Sequence, residues 1–179
     1  GDKVLIPNPG YPAYAMTAKL AGATPVSYDL EESSHWLPSI EQLESMDLKS
    51  VKLMWVNYPH MPTGAVAGSD VFAKLIEFAK RYQILICHDN PYSFILNDKP
   101  TSILEFPGAR EVCIELNSLS KCFNMASRRV GVMVGNKAYI DTVMRFKSNM
   151  DSGMYKPIQM AAIQAMSSPA SWYEHINDV

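Results

Sequence analysis

Six short apolar runs alternate with stretches of helical period along this chain. That alternation restricts the possible architecture more than any other feature. The runs fall at residues 3–7, 24–30, 51–57, 84–89, 112–117 and 129–135. Several are nearly continuous in apolar character, as in Ile84-Leu85-Ile86-Cys87. A strand with one face in water alternates polar and apolar residues, whereas a strand covered on both faces does not. The intervening stretches predict helices at 14–21, 40–46, 71–82, 139–147 and 158–166. In the third, Val71, Phe72, Leu75, Ile76, Ala79 and Tyr82 share one face. Pro12 stands at the first turn of the first helix and Gly22 just past its end. Ser39 and Gln42 have the spacing of a capping box, and Ser69-Asp70 open the third helix. The polar segment 147–155 reads as a connector, and after Ser167 a turn leads into a further helix. Strands separated by helices pair side by side through crossovers. The expected fold is therefore α/β, three-layered α-β-α, with a mostly parallel sheet.

The chain has 179 residues, enough for one domain with its own core, and shows no repeat, low-complexity tract or linker. Net charge is −2 with acids and bases intermixed, which argues against a nucleic-acid or acidic-membrane surface. No apolar stretch approaches membrane-spanning length. Cys87, Cys113 and Cys122 lie in or beside apolar runs without metal-ligand spacing, the pattern of reduced core thiols. The start Gly1-Asp2-Lys3 carries no signal-peptide pattern, so a cytoplasmic setting is the expectation and no metal is expected.

In open parallel sheets, ligands collect outside the carboxyl ends of the strands. Asn57, Asp89 and Ser118 end apolar runs, and Lys121 lies just beyond. An aspartate in such a place ordinarily caps a helix or makes a turn, and a lone lysine is ordinarily solvated. Here they come as a set. Asp89-Asn90-Pro91-Tyr92 follows one run, and Asn117-Ser118-Leu119-Ser120-Lys121 follows the next. Arg129-Val130-Gly131 opens the last. An amine that a nearby cation and partial burial can make nucleophilic, a forked guanidinium and a carboxylate are the means of holding an aldehyde cofactor with a phosphate and a ring nitrogen.

These segments resemble the pyridoxal-phosphate-dependent aminotransferases of class I and II. Ser118-x-x-Lys121, Phe123-Asn124-Met125 and Arg129-x-Gly131 together are similar to the family's cofactor-lysine signature. Pro7-Asn8-Pro9-Gly10-Tyr11-Pro12-Ala13-Tyr14 resembles the loop whose first aromatic stacks on the pyridine ring. Asn57-Tyr58-Pro59-His60-Met61-Pro62-Thr63-Gly64 is similar to the family's Asn-x-Pro-x-Asn-Pro-Thr-Gly loop. The resemblance implies that Lys121 holds pyridoxal 5'-phosphate through an imine and moves a proton during transamination between an amino acid and a 2-oxo acid. It implies that Asp89 pairs with the ring nitrogen. It gives the ring's phenolic oxygen to Tyr92, the phosphate to Ser118 and Arg129, the ring face to Tyr11, and a further cofactor contact to Asn57. Tyr14 is left as packing and His60 as a loop residue. The implied whole is the aspartate aminotransferase-like large domain of a homodimeric enzyme. Residues 1–179 would be its central part, with an N-terminal arm and a C-terminal small domain outside it.

Two positions depart from the pattern. Met61 stands where the second asparagine donates to the phenolic oxygen, a hydrogen bond to a charged group worth about 1.5–3 kcal/mol. Ser127-Arg128 replace a glycine and an apolar or aromatic residue, and by spacing from Lys121 the phosphate falls to Arg129, with Arg128 facing outward or paired with an acid. The segment 147–155 is closest to the branch that includes LL-diaminopimelate aminotransferases. Ser-x-x-Lys also belongs to serine β-lactamases and penicillin-binding proteins, but their Ser-Asp-Asn and Lys-Thr-Gly partners do not occur here. Other readings within the resemblance are a C–S lyase or decarboxylase on the same fold, and a sensor domain of a transcription regulator.

Overall fold

The computed structural model describes residues 1–178. All six expected strands form: β1 (Lys3–Asn8), β2 (Thr24–Asp29), β3 (Val51–Asn57), β4 (Leu85–Asp89), β5 (Cys113–Ser118) and β6 (Gly131–Gly135). They build one sheet in the order β2-β1-β3-β4-β5-β6. Every neighbouring pair is parallel except β5 with β6, which is antiparallel. Gly131 is required at the start of β6, because a Cβ there would lie 2.9 Å from the Asn117 carbonyl oxygen.

The helices are α1 (Ala13–Leu20), α2 (Ile40–Ser45), α3 (Ser69–Tyr82), α4 (Ala109–Val112), α5 (Leu119–Cys122), α6 (Lys137–Met150), α7 (Lys156–Met166) and α8 (Ser171–Asn177). The two-residue period of the strands sorts side chains between faces. Leu5, Met54, Val56, Ile86 and Cys113 point to one face and form the main core with Phe72, Leu75, Ile76, Phe78 and Ala79 of α3. Each large apolar side chain taken out of water there contributes about 1.5–3 kcal/mol. On the opposite face Tyr14 of α1 stacks on Trp55 with ring centroids 4.6 Å apart. Helices thus cover both faces, as a parallel sheet requires.

Some local expectations need correction. Ser39 does cap α2, its hydroxyl accepting from the Gln42 amide, but only that half of the box forms. The full box belongs to Ser102 and Glu105, ahead of a single 3-10 turn. The third helix is capped by Gly68, and Ser69 and Asp70 lie inside its first turn. There Asp70 complements the helix dipole. Val112 ends α4 instead of opening β5, and Arg129 lies ahead of β6. Helix α6 runs to Met150, so the connector before α7 shrinks to residues 151–155.

Candidate functional site

The chain runs from β1 outward to β2, then returns across β1 to place β3 on its other side. The strand order therefore reverses between β1 and β3, and the crevice beyond their carboxyl ends is where such sheets bind ligands. Tyr11 leaves β1 there, Asn57 ends β3, Asp89 ends β4 and Ser118 ends β5. The reversal of direction between β5 and β6 then brings back residues 119–130, which carry Lys121 and Arg129.

All seven residues singled out in the sequence, Tyr11, Asn57, Asp89, Tyr92, Ser118, Lys121 and Arg129, line one cavity of about 280 Å³. Small-molecule pockets usually measure about 300–1,000 Å³, so this one suits a compact ligand. A larger neighbouring cavity of about 470 Å³ is lined by no lysine or arginine and has Glu105 and Glu115 instead. It is the wrong sign for a phosphate.

Asp89 is held by Tyr14, whose hydroxyl donates to Oδ2 at 2.6 Å. Burial raises the Asp89 carboxyl above the usual carboxylate range, against the opposing pull of the Tyr14 hydrogen bond and of His88. A cationic partner in the cavity would return it to the charged form. Asn57 lines the cavity, but its polar atoms are engaged with backbone. Nδ2 donates to the Asp89 carbonyl at 2.8 Å, and Oδ1 accepts from the Met61 amide at 2.9 Å. Its side chain braces the floor and fixes the loop in which Met61 replaces the usual asparagine.

Ser118 caps α5 by accepting from the Ser120 amide at 3.2 Å, which leaves its hydroxyl hydrogen free to donate. Lys121 is exposed, its Nζ lies 5.7 Å from the Tyr92 ring centroid, and no acid pairs with it among the described residues. Arg129 has left-handed backbone, φ 54°, a conformation costly to a residue with a Cβ and often found at functional sites. Its Nη1 donates to the Ala126 carbonyl at 2.9 Å. Arg128 is exposed, as its placement beside Arg129 implied. Tyr11 lines the cavity, is half exposed, 49%, and its ring plane stands nearly perpendicular to that of Tyr14.

Three contributors were not apparent from the sequence. Tyr14 packs as expected but also donates to Asp89, a bond that depends on the offset of α1 over β4. Helix α8 pins the two loops beside the cavity. Trp172 donates from its indole to the Cys122 carbonyl at 2.9 Å, and Tyr173 stacks on Phe94 with centroids 4.6 Å apart. Behind the sheet, buried His88 and Glu115 face each other, with Nδ1 and Oε2 3.2 Å apart. The only early signal was a glutamate inside an apolar run. Burial pushes the Glu115 carboxyl up, but hydrogen bonding and charge from His88, with help from Ser102 and Asn117, outweigh it and hold the group below the ordinary glutamate range. Burial pushes the Cys87 and Cys113 thiols up to about 12, so both are inert. Among the described residues no helix is long and apolar enough to cross a membrane.

The switch-point cavity thus gathers a lysine, an arginine, a serine and a half-buried carboxylate. The chain belongs to the aminotransferase class I and II family, whose model matches residues 1–178. It is 46% identical over 169 residues to the LL-diaminopimelate aminotransferase of Dehalococcoides mccartyi, covering 93% of this chain and 44% of that protein. With the enzyme of the same name from Aquifex aeolicus it shares 41% identity over 181 residues, covering 100% of this chain and 47% of the relative. Substrate-bound BacF from Bacillus subtilis superposes with a TM-score of 0.95 at 39% identity, covering 100% of this chain and 46% of that one. The chain thus spans about half the length of the relatives it matches. An aspartate aminotransferase of Thermus thermophilus, 23% identical with a TM-score of 0.92, shares the fold.

Proposed function

We propose that residues 1–178 are the central part of the cofactor-binding large domain of a pyridoxal-phosphate-dependent aminotransferase, with further segments of the protein completing the domain and a homodimer. The observation that carries this is the convergence of all seven residues on one cavity at the reversal of strand order. The donor set fits the cofactor: a lysine that no acid pairs with among the described residues, a half-buried carboxyl raised by desolvation, and a free hydroxyl in the same cavity as an arginine.

When bound, pyridoxal phosphate supplies an aldehyde for amines and a cationic ring that withdraws electrons. Lys121 would hold it through Nζ and would supply the amine that exchanges a proton with the substrate carbon. The Tyr92 ring beneath the ammonium steadies Lys121 between these tasks. Asp89, fixed by Tyr14, would pair with the ring nitrogen and keep it protonated. Ser118 and Arg129 would take the phosphate, and Tyr11 would cover the ring. Asn57 holds the floor, and the phenolic oxygen would fall to Tyr92 alone, since Met61 cannot donate a side-chain hydrogen bond.

The amino donor is an amino acid and the acceptor a 2-oxo acid. The relatives named LL-diaminopimelate aminotransferase make that diamino diacid the first donor to try. BacF, at comparable identity, makes product analysis necessary. The assignment is tested by mixing the full-length protein with pyridoxal phosphate, reducing with borohydride and mapping the labelled peptide. Label on Lys121 is expected. Label on another lysine, or none, refutes it. Product release that needs no 2-oxo acid would favour a lyase or decarboxylase.

A further inference from the structure

We propose that His88 and Glu115 form a buried positioning pair that aligns three strand ends under the cavity. The inference rests on the cavity reading above for its functional consequence, but the pairing itself does not.

His88 and Glu115 are register partners on β4 and β5 and share the sheet face opposite Asp89. Their side chains are 0% and 6% exposed. His88 Nδ1 meets a Glu115 carboxylate oxygen, and Nε2 lies 3.0 Å from the Tyr58 carbonyl oxygen. The Tyr58 carbonyl can only accept, and the Glu115 carboxyl, ionised because N–H donors meet both of its oxygens, accepts as well; both ring nitrogens then donate, which only an imidazolium does. The Glu115 carboxylate also accepts from the Ser102 hydroxyl at 2.6 Å, the Ile103 amide at 3.0 Å, Asn117 Nδ2 at 2.8 Å and Asn90 Nδ2 at 3.3 Å.

The partners' places in the chain give the pair its meaning. Tyr58 follows Asn57, Asn90 follows Asp89 and Asn117 precedes Ser118. These three bonds end on chain neighbours of cavity residues, one at the end of each of β3, β4 and β5, while Ser102 and Ile103 tie Glu115 to the turn behind the sheet. Parallel strands have no turn between their ends to fix relative height. A cation that reaches the first end and an anion that reaches the other two supply that constraint from behind the sheet. An apolar core would fill the space, but without directional bonds it would not set register at the strand ends.

The test uses the full-length protein and three readouts. Nitrogen NMR of the His88 ring at neutral pH is expected to show two protonated nitrogens. In Glu115→Gln without cofactor, amide hydrogen exchange is expected to rise about tenfold or more in residues 57–61, 89–93 and 117–121 and to stay unchanged in α3. Pyridoxal phosphate, followed by its absorption band, is expected to bind about tenfold more weakly, and the double variant His88→Gln/Glu115→Gln should recover part of both losses. Should Glu115→Gln fail to fold, Asn117→Ala removes one link, and faster exchange confined to 117–121 is expected. A neutral His88 ring, or exchange that rises uniformly with cofactor affinity intact, would overturn the proposal and leave the pair as ordinary core. Wild-type protein that binds no pyridoxal phosphate would refute the cofactor reading, while ring protonation and exchange still decide the pair.

Discussion

The residues up to Ser118 and those after it are packed very differently. Every member of the main core cluster lies between Leu5 and Cys113. From Leu119 onward the buried apolar set among the described residues shrinks to Leu119, Cys122, Val130 and Ala162, while Val134, Met144, Phe146, Met150, Met160 and Ile163 stand exposed. The cavity straddles this divide. Its carboxylate and its floor, Asp89 and Asn57, come from the well-packed ladder; its cations, Lys121 and Arg129, come from the thinly packed return. Stability within a fold follows burial and hydrogen bonding, so the acid is held more firmly than the two cations. Chemistry that needs one group to stay and another to move is served by that division.

Substitutions on the two sides sharpen the contrast. Phe72 is 1% exposed and packs edge-on against Tyr58 and His88. Phe72→Ala is expected to cost about 3–5 kcal/mol in denaturant unfolding. Phe146→Ala, on a side chain 67% exposed, is expected to cost less than about 0.5 kcal/mol. Equal costs would erase the distinction. Next in size, Gly131→Ala forces a Cβ against the Asn117 carbonyl where the two regions join. A loss of about 1–3 kcal/mol is expected, with weaker binding of the proposed cofactor through displaced Arg129. Trp172→Phe removes the indole bond to the Cys122 carbonyl. A loss of about 1 kcal/mol is expected, together with faster amide exchange around Lys121 and none around Asp89.

The smallest effect concerns pH. Burial raises the Asp89 carboxyl. An acid raised on folding costs nothing below its unfolded value of about 3.9, and its penalty grows as pH climbs through the folded value. Asp89→Asn is therefore expected to raise the melting temperature at neutral pH and leave it unchanged in strong acid. A variant less stable than wild type at neutral pH would show that burial is not what governs this group.

The strands were legible because burial on both faces writes an unbroken apolar run, as at Ile84–Cys87, and their ends held to within two residues. The short turns at Ile103–Glu105 and Ala126–Arg128 were not, since three residues carry no period. The helical period places Phe78 outside the apolar face of α3, yet it is 2% exposed. Among the cavity residues, those in contiguous motifs were legible one by one. Tyr14 with Asp89 and His88 with Glu115 were not, because each bond spans separate elements and depends on helix placement or strand register that no local spacing encodes.

The two outermost strands differ in what they offer a newcomer. β2 carries Pro25 and ends in Asp29, and both discourage another chain from adding on. β6 reads Gly-Val-Met-Val-Gly, with neither charge nor proline, and its outer row of amides and carbonyls has no strand beside it among the described residues. Handled as a separate piece, this polypeptide would template aggregation along that border, and a lysine introduced at Val132 or Val134 is the simplest way to keep it in solution.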